Sequence, residues 1–159
     1  MELWPFLLAC ALIEITPGPN MAYLAVVAAT EGRAKGYAAV GGVALGLAVV
    51  GLLAALGLAA LIAASPWAYE ALRWGGVGYM LWLAWDGWRG GEEAAQHAPL
   101  GSTLWRYFRR GLVTNLLNPK AAVFYISVLP SFLPLADERL STVFLFTALY
   151  VAVATAIHA

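Results

Sequence analysis

A cluster of two prolines and a glycine interrupts the first apolar stretch of this sequence. Its residues are Thr16, Pro17, Gly18, Pro19 and Asn20. Proline has no N–H and clashes with the carbonyl four residues back, so Pro17 is expected to free the carbonyl of Ile13. Pro19 is expected to free that of Ile15 in the same way. Inside a membrane, unpaired backbone is tolerated only where it is buried in protein or lines a wet cavity. The alternative is a kinked helix whose break is closed by the polar side chains of the cluster.

A second cluster lies in the fourth apolar stretch. Its residues are Asn115, Asn118, Pro119 and Lys120. Pro119 is expected to free the carbonyl of Asn115. Because Asn115 and Asn118 are three positions apart, their side chains share one face of a helix. Broken helices that meet near the midplane form the substrate sites of many transporters. We therefore predict that the two clusters together bind a small solute.

Two ionisable residues flank the breaks, since Glu14 precedes the first cluster and Lys120 ends the second. A charge at the bilayer centre costs at least about 2.5–3.5 kcal/mol, so each of the two requires a partner or a function. We predict Glu14 as the proton-coupling carboxylate of a transporter. Two structural alternatives stay open: an ion pair between Glu14 and Lys120, and a Lys120 side chain that extends to the membrane interface.

The composition is that of a membrane protein. Of the 159 residues, 62% are hydrophobic and 11% are charged, whereas soluble domains are about a quarter charged. Residues 38–69 contain no charged side chain, and about 20 apolar residues already span the hydrocarbon core of a bilayer. We therefore predict an all-α integral membrane protein with a polytopic helix bundle.

Several function classes are excluded by what the sequence lacks. The net charge is zero, which gives no basic field for nucleic acid. The single cysteine, Cys10, allows no intrachain disulfide and is expected to pack as a small apolar residue. His97 lies in a predicted loop and His158 near the chain end, so no His, Cys and Asp cluster has metal-ligand spacing. We predict no enzymatic activity, no cofactor and no metal.

Five apolar segments divide the chain, at about 3–29, 37–64, 69–88, 111–133 and 140–159. The clusters lie in the first and fourth segments, so the spans that carry them run in opposite directions. This is the pattern of an inverted repeat. We predict a single transmembrane domain over 1–159, with a first repeat at about 1–90, a cytoplasmic loop at about 89–110 and a second repeat at about 111–159.

The second segment is rich in glycine. Gly42 and Gly46 form a G-x-x-x-G pair on one helical face. Small residues of this kind allow two membrane helices to approach closely. We expect tight packing here rather than a ligand site.

Positive charges set the expected orientation. Six Lys and Arg residues fall between segments 1 and 2 and between segments 3 and 4, whereas two fall on the other side. Because cytoplasmic loops collect Lys and Arg, the N-terminus is predicted to lie outside. The stretch LWRYFRRG at 104–111 is expected at the cytoplasmic interface, with an ordinary solvated loop as the alternative.

Four stretches taken together resemble a known family. They are TPGPN at 16–20, GRAKGYAAVGGVALG at 32–46, LRWGGVGYMLWLAW at 72–85 and RRGLVTNLLNPKAAVFYISVLPSFL at 109–133. In this order they resemble the lysine-exporter superfamily, and within it the homoserine/threonine resistance branch of amino-acid exporters. By position, the motif residues are Pro17, Gly18, Pro19, Asn20, Asn115, Asn118, Pro119 and Lys120. Glu14 lies outside the family motif.

The resemblance implies a small inner-membrane exporter of six helices, arranged as a three-plus-three inverted repeat and often dimeric. It also implies export of amino acids and their derivatives, coupled to protons. Since only five apolar segments are present here, the second repeat is expected to be incomplete, and the chain to be a fragment or a truncated product.

These observations predict an efflux transporter for small amino acids, multi-pass in the inner (plasma) membrane of a bacterial cell and working by alternating access. Helix N–H groups after the first break are expected to bind the substrate carboxylate. Freed carbonyls and Asn20 are expected to bind its ammonium group. The expected partners are the amino acid, protons, membrane lipid and a second copy of the chain.

Two alternatives stay open. The first is a cation exporter of the same superfamily, in which the oxygens of Glu14, Asn20, Asn115 and Asn118 would be the ligands. The second is a structural membrane subunit that needs a partner to complete the bundle.

Overall fold

The computed structural model describes residues 3–56, 65–88, 100–132 and 140–159, and every regular element within these ranges is a helix. The first four helices are α1 (Leu3–Ile15), α2 (Pro19–Glu31), α3 (Arg33–Ala55) and α4 (Pro66–Trp88). The rest are α5 (Leu100–Leu116), α6 (Pro119–Val123), a π-helical turn (Phe124–Val128), α7 (Leu129–Phe132) and α8 (Leu140–His158).

The prediction of a polytopic helical membrane protein is confirmed. By length and composition, α3 and the 141–158 part of α8 could each cross a membrane. Two bent pairs could each form one further span: α1 with α2, bent by 60°, and α5 with the stretch from α6 to α7, bent by 50°. The division into two inverted repeats stays a prediction.

Helices α3 and α5 are the most closely packed pair in the described bundle. A Cβ atom at Gly42 would overlap the carbonyl oxygen of Phe108, and one at Gly111 would overlap the carbonyl oxygen of Ala39. The two helices therefore meet backbone to backbone, which only glycine permits at these positions. The close packing that the sequence predicts for the glycine-rich segment is confirmed.

Aromatic side chains fill the core between α1, the π-helical turn and α8. The Phe6 ring lies 4.6 Å from Phe146, and Phe124 stacks on Tyr150 with ring centroids 3.6 Å apart. All four side chains are fully buried, as is Cys10, which packs as the small apolar residue the sequence predicts. Burial of such rings is a large part of the apolar area removed from solvent.

Charged side chains gather at one end of the bundle. Lys35 pairs with Glu31 at 2.5 Å, and Asp86 accepts hydrogen bonds from Arg106, at 2.8 Å, and from Arg110. We call this the basic end, defined by Lys35, Arg106 and Arg110. These cations are among those that the sequence places on the cytoplasmic side, and the side of the membrane on which the basic end lies stays a prediction.

The fourth apolar segment begins earlier than the sequence indicates. Residues 100–110, expected in a loop, form the first part of α5. Arg106 and Arg110 are four positions apart, so both reach Asp86 on α4. Arginines that suggest a loop in the sequence therefore link α5 to α4 through Asp86. Residues 89–99 of the expected loop, 57–64 of the second segment and 133–139 lie outside the described residues.

Candidate functional site

The first cluster forms a sharp bend, since α1 and α2 differ in direction by 60°. Gly18 precedes α2 with extended backbone, and Pro19 occupies the first helical position. At that position a missing N–H leaves no hydrogen bond unmade, so the sequence favours a new helix here. Thr16 and Pro17 are exposed, whereas Asn20 is buried.

The prediction that the carbonyl of Ile13 is free is wrong. The N–H of Thr16 donates to the carbonyls of both Leu12 and Ile13, each at 3.2 Å. The Thr16 hydroxyl also donates to Leu12, at 2.8 Å. The last turn of α1 tightens to three-residue spacing, which satisfies the carbonyl that Pro17 cannot reach. That the carbonyl of Ile15 is free stays a prediction.

The second cluster separates α5 from α6 with a 50° bend. The N–H of Asn118 donates to the carbonyl of Asn115 at 3.0 Å, so the predicted free carbonyl is wrong here too, for the same reason. The side-chain oxygen of Asn118 accepts the N–H of Lys120 at 3.0 Å. Asn118 therefore caps α6, in front of Pro119 at its first position.

The two breaks meet through their asparagines. The Asn20 amide nitrogen donates to the Asn115 amide oxygen at 2.7 Å. Asn20 is 5% exposed and Asn115 is fully buried. Asn20 Oδ1 and Asn115 Nδ2 have no hydrogen-bond partner in the described part of the chain. A buried polar atom without a partner costs about 1–3 kcal/mol. The pair therefore retains one unsatisfied acceptor and one unsatisfied donor.

Helix α3 fixes the position of Asn115. A Cβ atom at Gly46 would lie 2.8 Å from both the Cβ and the amide nitrogen of Asn115. The glycine therefore makes room for the asparagine against the α3 backbone. Gly46, the second glycine of the G-x-x-x-G pair, therefore makes room for a residue of the second break as well as for close helix packing.

Lys120 extends to the first break. Its ammonium group donates to the carbonyl of Thr16 at 2.8 Å, and its stem passes Gly18, where a Cβ atom would lie 3.3 Å from the lysine Cδ. An ammonium group has three donors, so this bond leaves capacity for an anion. A second direct link, besides that of the asparagines, therefore joins the two clusters.

Glu14 has partners that the sequence did not indicate. Its Oε2 lies 3.2 Å from Nε2 of His158, and its Oε1 accepts a hydrogen bond from the hydroxyl of Tyr150. The alternative of an ion pair with Lys120 is not borne out, because α8 packs against α1 and supplies the partners of Glu14. The available signal was the spacing of Tyr150 and His158, which puts both on one face of α8.

Three cavities lie along the two broken spans, between the basic end and the breaks. The first, about 490 Å³, lies between α2, α4 and α5 near the basic end. The second, about 420 Å³, lies beside Pro19, Pro119 and α4. The third, about 380 Å³, is lined by Lys120 and Thr16 and otherwise by apolar side chains. Met80 lines the first two, and Pro119 lines the second and third.

Metal ligation finds no support within the described ranges, since no group of three His, Cys, Asp or Glu side chains there could hold an ion. The site consists instead of two asparagines, one lysine and helix ends, inside a bundle of apolar helices that could cross a membrane. This arrangement defines a multi-pass membrane protein whose two broken spans meet.

Comparison with known proteins assigns that class to a family. Residues 11–158 match the LysE type translocator family, and the chain belongs to it. The members are translocators rather than enzymes. No solved structure matches the chain at a significant level.

Among similar bacterial proteins, a leucine efflux protein of Enterobacter sp. strain 638 is 34% identical over 93% of this chain and 71% of its own length. A homoserine/homoserine lactone efflux protein of Salmonella typhimurium is 31% identical, over 83% of this chain and 65% of its own. An uncharacterized membrane protein of Pseudomonas aeruginosa is 36% identical, over 79% and 61% respectively. The chain thus spans between 61% and 71% of the length of these curated relatives.

Proposed function

We propose that this chain forms the substrate site of an exporter of small amino acids or their derivatives in the inner membrane of a bacterial cell. The observation that carries the proposal is the meeting of the two breaks through Asn20 and Asn115, with an unpaired acceptor and an unpaired donor. The names of relatives, which are efflux proteins for leucine and for homoserine and its lactone, support the substrate class.

The chemistry of the site suits a zwitterion. The cation of Lys120 and the free amide N–H of Asn115 match a carboxylate, and the free oxygen of Asn20 matches an ammonium group. The N–H groups at the start of α2 add a partial positive charge on the same side as the carboxylate partners. Proton coupling, with Glu14 as the coupling carboxylate, is part of the proposal.

The apolar part of the site suits a small aliphatic side chain. Ile13, Val123 and Phe124 line the cavity beside Lys120, whose volume is about 380 Å³. Ligand pockets in proteins generally combine such apolar walls with a few polar groups that fix the orientation. A substrate with a charged side chain would have to leave that charge against these walls without a partner.

Alternating access is supported by the row of cavities. Along the second broken span, Tyr107 lines the first cavity, Thr114 the second and Val123 the third. The order of the cavities, counted from the basic end, is therefore the order of these residues in the chain. Met80 lines both of the first two cavities, and Pro119 lines both the second and the third. A substrate that passes from one cavity to the next would pass Pro119 at the second break, where access from either side could be closed.

The test is amino-acid efflux from loaded cells that produce this chain, screened over the common amino acids and homoserine. Lys120→Met should lower the efflux rate at low substrate concentration by about ten- to a hundredfold, because a hydrogen bond to a charged group contributes about 1.5–3 kcal/mol. Lys35→Met is the matched control, since Lys35 pairs with Glu31 at the basic end and should retain efflux. Wild-type efflux in Lys120→Met would contradict the assigned site, and no efflux of any amino acid would contradict the function.

A further inference from the structure

We propose that Glu14, His158 and Tyr150 together form the proton-binding site of this chain. The inference rests on the proposed export function and deepens it by adding the two α8 residues that hold and exchange the coupling proton with Glu14. Its basis is the geometry of the cluster. Both carboxylate oxygens of Glu14 are engaged, one at 3.2 Å from His158 Nε2 and the other by the Tyr150 hydroxyl.

Glu14 and Tyr150 are buried among apolar helices, and His158 also lines a cavity of about 190 Å³ together with Arg33 and Tyr37 of α3. The side chains of His158 and Glu14 are only 3% and 5% exposed, and Tyr150 is fully buried. The part of α8 that carries His158 and Tyr150 is long and apolar enough to cross a membrane. Ionisable side chains at such depth are costly and rarely serve packing alone, so this grouping points to proton exchange.

Other ionisable groups face Glu14 from neighbouring elements. Cys10 lies one turn earlier on α1, and Lys120 and Tyr125 approach from the second broken span. Tyr125 already donates its hydroxyl to the carbonyl of Leu47, at 2.9 Å. Lys120 is bound to Thr16. Within the described residues, none of these three groups forms a hydrogen bond or ion pair with the Glu14 carboxylate, whereas the imidazole of His158 lies 3.2 Å from it.

Protonation changes the contact in two defined steps. With a neutral imidazole and a carboxylate, the pair carries one negative charge. A proton taken up by the imidazole gives an imidazolium–carboxylate pair of zero net charge and keeps the contact of His158 with Glu14. A second proton, bound to the Glu14 carboxylate, leaves the pair with a net positive charge. It removes the attraction between imidazolium and carboxylate, so the contact of His158 with Glu14 weakens.

The position of Glu14 links this change to the break. Glu14 lies in the last turn of α1, immediately before Thr16, whose carbonyl holds Lys120. The His158 contact ties this turn of α1 to α8. A change in the protonation of the pair therefore alters how the end of α1 is held, and with it the break that is proposed to bind the substrate.

The test distinguishes a loss of proton coupling from a loss of leucine transport. The purified chain is reconstituted in vesicles, and L-leucine transport is measured in two modes, as uptake driven by a pH gradient and as exchange of internal for external leucine at equal pH. Glu14→Gln and His158→Gln should lower the gradient-driven rate by about tenfold or more while exchange stays within about twofold of wild type. Glu70→Gln is the control, because Glu70 is a partly exposed carboxylate paired with Arg73.

An infrared pH-difference spectrum provides a readout that does not depend on transport. A carboxyl band should change over the pH range in which the wild-type chain stays folded. It should be lost in Glu14→Gln, shifted in His158→Gln and Tyr150→Phe, and unchanged in Glu70→Gln. If that pattern is seen and leucine does not move in either mode, the proton site is supported and the export proposal fails for leucine.

Two outcomes would overturn the proton site. One is gradient-driven uptake at the wild-type rate in Glu14→Gln vesicles. The other is a wild-type spectrum without any carboxyl band that changes over this pH range. Because the second outcome needs only folded wild-type protein, the inference stays testable even where a variant does not fold.

Discussion

The Asn20–Asn115 pair shows how two equivalent side chains can hold each other and still offer binding capacity. An amide has two donors and two acceptor lone pairs, and one bond uses a donor of Asn20 and an acceptor site of Asn115. The unused oxygen and nitrogen are buried against helices and the α3 backbone. Under the proposed function, a ligand with both signs of charge would satisfy each of them.

At the residue scale, we predict that Asn20→Leu together with Asn115→Leu removes substrate binding and preserves the fold. Replacing both partners of a buried hydrogen bond by apolar groups of similar shape is nearly neutral, whereas either single change strands the other asparagine and costs about 1–3 kcal/mol. Thermal unfolding in detergent, with and without L-leucine or L-homoserine, measures both effects. If L-leucine or L-homoserine raised the unfolding temperature of the double variant as it does that of the wild type, the asparagine pair would be structural only.

The positions of the two breaks were predictable from the sequence, because a break depends on residues that are neighbours in the chain. Pro19 and Pro119 have no N–H, which marks each break without any knowledge of the fold. The partners of Glu14 were not predictable in the same way, because His158 and Tyr150 reach it only through the packing of α8 on α1. The same packing decides that Lys120 binds Thr16 and not Glu14.

Among the elements, the second broken span (α5 together with the stretch from α6 to α7) contains a π-helical turn that the sequence does not predict. After α6 the helix widens into a π-helical turn, in which the N–H of Leu129 donates to the carbonyl of Phe124. Pro130 follows, and because it has no N–H, an α-helical bond to Ile126 cannot form there. The π-helical turn also carries Phe124 into the aromatic core, and the same residue lines the cavity beside Lys120.

For the packing of α3 on α5, we predict opposite effects of alanine at two adjacent glycines. Gly41→Ala should be neutral or stabilising, since its Cβ would lie 3.6 Å from the Phe108 ring and alanine favours a helix over glycine by about 0.8–1 kcal/mol. Gly42→Ala should destabilise by about 1–3 kcal/mol, because its Cβ overlaps the Phe108 carbonyl and forces the helices apart. Thermal unfolding in detergent compares the two. Equal melting temperatures would disprove the backbone contact.

At the scale of the whole molecule, the five apolar segments and the helical class were predictable because membrane spans need long uncharged stretches. The start of α5 was not, because Arg106 and Arg110 have the composition of a loop until Asp86 is known to face them. The row of cavities was not predictable either, since a cavity depends on the relative placement of three helices and leaves no local pattern in the sequence.

Met80 should control passage along this row, because it lines both of the first two cavities. We predict that Met80→Trp lowers efflux from loaded cells by about tenfold or more while the protein stays folded, since the larger side chain fills the opening between the cavities. Leu12→Trp is the control, because Leu12 is 59% exposed on α1 and lines none of the three cavities. Unchanged efflux in Met80→Trp would mean that the substrate takes another path.

The backbone contact between α3 and α5 also has a mechanical consequence. Where helices meet through side chains, small displacements are absorbed by rotation of those side chains. Gly42 and Gly111 have no side chains that could rotate in this way, so α3 and α5 are expected to move as one rigid unit at their crossing. Asn115 lies on α5, whereas the end of α1 contacts α8 through the side chains of Glu14 and His158. We therefore expect the first break to be the more flexible of the two, and a displacement of α8 to reach the proposed substrate site through it.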